Sequence, residues 1–180
     1  MRLQSLQHLI ELVRSVSRPI RVVLIGSSSL LPAFPILSEP GSPLELTTDA
    51  DFLMEPVNDA IAESLQLAAG KDSAFMAQFG YYADILHPSI VETLPAGWES
   101  RLAAVPGYDN VFALDRYDLA LVKLVVGRTK DLDLVRALLR MGILQAGVLR
   151  RHYQATALEE REAEKAGRNL AALLREAESN

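Results

Sequence analysis

At 180 residues with 49% hydrophobic content, the chain is long enough to bury a sizeable core, which argues against wholesale disorder. A net charge of -5 repels polyanions on average, so any nucleic-acid contact needs a local basic patch. The absence of cysteine excludes a disulfide framework, thiolate zinc sites and cysteine nucleophiles, and suits a reducing cytoplasm.

Leu3, Leu6, Leu9, Ile10 and Val13 recur at helical spacing and predict an opening amphipathic helix, broken at Pro19. Its interspersed Gln, His, Glu and Arg leave no apolar centre for a signal peptide, and no later run is long enough to span a bilayer. The expectation is a soluble, cytoplasmic protein with no membrane partner. Residues 21–25 (RVVLI) are a β-branched run that stops at Gly26, the pattern of a buried strand entering a turn, and Ser27, Ser28 and Ser29 offer caps for a short helix.

Pro32, Pro35, Pro40, Gly41 and Pro43 predict an irregular loop, read as an insertion. Residues 48–54 (TDADFLM) return to strand character, and 57–69 read as a helix ending near Gly70. Residues 74–79 and 81–86 read as two strands meeting at Gly80 in a hairpin. A stretch punctuated by Pro and Gly follows, containing Trp98, read as a core plug. Residues 115–126, 131–141, 146–155 and 158–177 then read as helices. The fold class is α+β, with a mixed core over residues 1–114 and a helical region over 115–180 packed on it.

Asp49 and Asp51 are one residue apart, so strand alternation sends both carboxylates to one face while Ala50 and Phe52 take the other. Two such carboxylates repel unless a cation lies between them. A hard divalent ion such as Mg2+ suits oxygen donors and phosphate co-ligands, while the alternative is a solvated strand end. The Gly26-Ser27-Ser28 turn, following a strand, is the kind of connection whose backbone N–H groups favour phosphate; an ordinary strand-to-helix connection has the same appearance. Asp84 is a lone carboxylate in YYADIL, and either it points to solvent from an edge strand or it joins the other two around a cation. His8, His87 and His152 lack metal-ligand spacing, and the glutamates interspersed with Arg150, Arg151 and Arg161 read as a solvated helix face.

VVLIGSSSLL, then TTDADFLM, then YADIL together resemble the nucleotidyltransferase superfamily pattern of hydrophobic strand, Gly-Ser, Asp-x-Asp and a later strand aspartate. DRYDLALVKLVVGRTKDLDLVRALL resembles the helical signature of bacterial uncharacterised nucleotidyltransferase-like proteins and of AbiEii-type toxins. The resemblance spans about residues 22–139, although here the Pro-rich loop lengthens the spacer between Gly-Ser and Asp-x-Asp.

It implies a small mixed sheet flanked by helices and a transferase that moves an NMP from an NTP to a hydroxyl acceptor, RNA or protein. Asp49, Asp51 and Asp84 would bind two Mg2+ ions, and Gly26, Ser27 and Ser28 would hold the phosphates. Lys123 would reach the triphosphate or neutralise charge in the transition state, Asp131 would position it or contact the partner substrate, and Arg128 and Lys130 stand with Asp131 at the entry to the next helix. A snorkelling lysine and a helix-entry charge cluster are the alternatives for these four. The competing functional class is a non-catalytic nucleotide- or partner-binding component of a toxin-antitoxin or defence system, with a cognate toxin or antitoxin as partner.

Overall fold

The computed structural model describes residues 1–17, 20–56 and 58–178, so the expected helix break at Pro19 and helix start at Val57 lie outside the described residues. The strands are β1 (Arg21–Leu24), β2 (Asp49–Glu55), β3 (Tyr82–Ile85), β4 (Ala103–Ala104) and β5 (Val111–Ala113). The helices are α1 (Leu3–Ser17), α2 (Asp59–Ala69), α3 (Ala74–Phe79), α4 (Arg116–Val126), α5 (Thr129–Arg140), α6 (Ala146–Ala155) and α7 (Glu160–Glu178). The fold is α+β. No described helix is long and apolar enough to cross a membrane.

The chain forms two units. One comprises Met1–Glu92 and Arg101–Asp115, the other Thr93–Ser100 and Arg116–Asn180, so the short segment carrying Trp98 belongs with the C-terminal helices. The first unit is built on a five-stranded mixed sheet in the order β3-β2-β1-β5-β4. β1 runs antiparallel to β2 and parallel to β5, and β2 runs parallel to β3. The β-branched run fills the centre of this sheet, with Val22, Val23 and Leu24 at most 1% exposed, as a strand covered on both faces requires. The apolar stripe of α1 is equally dry at Leu6, Leu9, Ile10 and Val13. The Pro-rich loop is compact rather than open. Leu37 and Leu44 are buried in it, and the Met1 amine donates to the carbonyls of Leu44 and Glu45 at 2.8 and 3.0 Å.

The expected hairpin at Gly80 is corrected by the structure, because Ala74–Phe79 is the helix α3 and only Tyr82–Ile85 is a strand. Ser73 caps α3 by accepting from the Met76 N–H at 3.1 Å, and Gly80 ends it at φ 77°, a left-handed turn that glycine adopts without a Cβ clash. The spacing of Phe75 and Phe79 is the decisive feature. Four residues apart on a helix they share one face and stack on each other at 4.7 Å, and both rings meet His8 at 5.0 Å. On a strand the same spacing would also have put them on one face, which is why alternation alone misreads the segment.

In the second unit α4 packs against α5, α6 and α7. Leu119, Leu121, Leu124, Val135, Leu138 and Leu149 supply its dry interior. α7 closes the exposed end of α4: Asn169 Nδ2 donates to Leu124 O at 2.8 Å and Lys165 Nζ to Val126 O at 2.7 Å, satisfying carbonyls that a helix C-terminus leaves unpaired.

Candidate active site

Paired residues on adjacent strands project to the same face of a sheet, and residues two apart on one strand do so as well. The β2–β3 register sets Asp51 opposite Asp84 and Asp49 opposite Tyr82. Asp49, Asp51, Tyr82 and Asp84 therefore occupy one four-position patch, while Ala50, Phe52 and Ala83 take the other face and are fully buried. Asp84 thus sits on an edge strand and on the same face as the other two acids.

The turn after β1 meets this patch closely. Ile25 N donates to Asp51 O at 3.1 Å, which brings Gly26 directly against the Asp51 side chain. A Cβ at position 26 would stand 1.6 Å from Asp51 Oδ2, so only glycine leaves the carboxylate its observed place. Ser27–Leu30 forms one 3-10 turn without a side-chain cap, differing from the expected serine-capped helix. Ser27 is partly exposed, whereas the hydroxyls of Ser28 and Ser29 are buried without a hydrogen-bond partner. Unpaired buried hydroxyls cost about 1–3 kcal/mol each, so a well-packed turn has reason to avoid them.

Tyr82 reports on the electrostatics of the patch. Partial burial, and then the negative charges of Asp49, Asp84 and Asp51, push its phenol above the ordinary value. All three carboxylates therefore act on one point in space. Among the described residues, however, no three acidic or histidine side chains are gathered closely enough to hold a metal ion by themselves.

Lys123, Arg128 and Asp131 assemble in the second unit. Asp131 is 1% exposed and accepts both cations, Lys123 Nζ at 2.9 Å and Arg128 Nε at 2.7 Å. Burial alone would raise its pKa, but the hydrogen bonds from Arg128 and Lys123 and the two positive charges outweigh it and hold the carboxyl below its ordinary value. Lys123 is not a snorkelling surface lysine, since its side chain is only 14% exposed and ends on a carboxylate. Lys130, by contrast, is exposed on the first turn of α5.

Sequence reasoning missed two features. Tyr82 was passed over although its spacing from Asp84 puts it on the same face. Asp118, fully buried, lies 2.7 Å from His152 Nε2 and joins α4 to α6. A lone carboxylate inside the apolar run of α4 was the available signal for it, the same one that drew attention to Asp84 in β3.

An antiparallel β1–β2 pair, a Gly-Ser turn after β1 and three acids sharing the β2–β3 face lie together in the first unit. A family model described as "Nucleotidyltransferase of unknown function (DUF6036)" matches residues 1–177, and the chain belongs to that family. Comparisons with curated proteins and with solved structures find no match.

Proposed function

We propose that the protein is a Mg2+-dependent enzyme that transfers an NMP from an NTP to a hydroxyl on RNA or protein, with release of pyrophosphate. The observation that carries this reading is the shared face of Asp49, Asp51 and Asp84 beside Gly26. The donor set fits magnesium. That ion keeps several waters and is commonly held by one or two carboxylates plus substrate phosphates, so a closed cage of protein ligands is not required. When bound, it would supply positive charge to the transferring phosphoryl group and lower the pKa of the attacking hydroxyl.

Asp49 and Asp51, side by side at the start of β2, are the pair that would bind both ions. Asp84 would bind one and orient the acceptor hydroxyl from the neighbouring strand. Gly26 lets the turn approach the carboxylates, and Ser27, the partly exposed hydroxyl of that turn, would hold the phosphates together with Ser28. Within the helical unit, Asp131 fixes Lys123 and Arg128 in place, the cluster to which the family resemblance gives a nucleotide-binding role. The likeness of the helical signature to AbiEii-type toxins belongs with the second reading, a non-catalytic nucleotide- or partner-binding component of a toxin-antitoxin or defence pair.

Transfer of labelled nucleotide to total RNA or protein tests this directly. Asp49→Ala should abolish transfer, falling by at least about a thousandfold if the residue anchors both ions. Unchanged transfer by Asp49→Ala would rule the mechanism out, and tight NTP binding by wild type without any transfer would favour the non-catalytic binding protein.

A further inference from the structure

The aspartate patch poses a problem of its own chemistry. Ionised carboxylates only accept hydrogen bonds, and the oxygens of a triphosphate do the same, so the two surfaces have nothing to exchange except through cations and donors. Of the four side chains that the β2–β3 register places together, Tyr82 alone carries a donor. A phenol is uncharged at neutral pH, and it can therefore sit among three carboxylates without competing for their counterions.

Tyr82 is also well placed. It is opposite Asp49 in the ladder, its backbone N–H is anchored to Thr48 O at 2.9 Å, and it is partly exposed on the same face as the acids. Tyr81, the next residue back, points the other way: its hydroxyl meets His8 Nδ1 at 2.8 Å within the aromatic cluster of α1 and α3. Of two consecutive tyrosines, one is built into the fold and the other is left facing the acids.

We propose that Tyr82 is a positioning residue of this patch, its hydroxyl donating a hydrogen bond to a phosphate oxygen of the bound nucleotide. The inference rests on the nucleotidyltransferase reading above and adds the part of the substrate that Tyr82 recognises. A hydrogen bond to a charged oxygen of this kind is lost in Tyr82→Phe while the ring and its packing remain, so affinity for the phosphate tail should fall roughly tenfold to a hundredfold. Recognition through the phosphates predicts that the loss is the same whichever base the nucleotide carries.

Isothermal titration with Mg2+ and each of the four NTPs, and with Mg2+ and tripolyphosphate, compares wild type with Tyr82→Phe, and a thermal melt accompanies each protein. The expected result is an equal loss of affinity for the preferred NTP and for tripolyphosphate at an unchanged melting temperature. A variant that binds both as wild type does overturns the role of Tyr82 alone and leaves the nucleotidyltransferase reading standing. Affinity that falls for the NTP but not for tripolyphosphate, or only together with the melting temperature, overturns it as well. Wild type that binds neither probe overturns both.

Discussion

Gly26 and Asp51 constrain each other through a space too small for a methyl group. Because a Cβ at position 26 would meet the Asp51 carboxylate at 1.6 Å, Gly26→Ala forces the carboxylate to rotate away. The atoms this Cβ would meet belong to the Asp51 side chain and not to the backbone, so the fold should absorb the change for about 1–2 kcal/mol. The chemistry should not. Misplacing a metal-binding group by roughly 1 Å costs about a hundredfold in rate, so Gly26→Ala should lose transfer activity while melting within a few degrees of wild type. Full activity in that variant would show that the observed position of Asp51 is irrelevant to catalysis. The close approach was not visible in the sequence. A Gly-Ser turn and an Asp-x-Asp pair can be read as motifs, but their contact depends on the β1–β2 register, which brings Ile25 against Asp51.

The α4–α5 junction is held by an acid that spacing alone presents as a helix-entry charge and that the family resemblance pairs with Lys123. Asp131 is buried between Lys123 and Arg128, and its depressed pKa is a statement about stability. A carboxyl whose folded pKa lies below its unfolded one, near 3.9, stabilises fully above about pH 4–5 and loses that contribution as pH falls through the folded value. Asp131→Asn leaves Lys123 without its counter-charge and should destabilise the protein by about 3 kcal/mol at pH 7. Urea melts at a series of pH values should show the gap between the two proteins narrowing below about pH 4. A gap that is absent at pH 7 would mean that the pair contributes nothing to the fold, and one that stays constant down to pH 2 would mean that its contribution does not come from the ionised carboxylate.

At the scale of the whole chain, the sequence was most readable where one periodicity dominated. The stripe of α1, the RVVLI strand and the helices from α4 onward follow from spacing and burial alone, since each buries one face or stripe. It was least readable where two periods agree. Phe75 and Phe79 suit a strand and a helix equally, and the Ser73 cap and the left-handed Gly80 decide for the helix. Of the partners distant in sequence, Asp118 with His152 was hidden, being joined by packing and no motif, whereas Asp84 beside Asp51 was one of the two readings the sequence offered and the β2–β3 register supplies their pairing.

The account stands on the three acids of the β2–β3 face acting together with a magnesium ion. Pyrophosphate release, measured over the four NTPs with RNA or protein as acceptor, with and without Mg2+, tests that most directly when wild type is set beside Asp51→Asn and Asp84→Asn. The account predicts release by wild type only with Mg2+ and loss of that release in both variants, each of which should remain folded. Release that persists in either variant, or that proceeds equally well without a divalent ion, would contradict it.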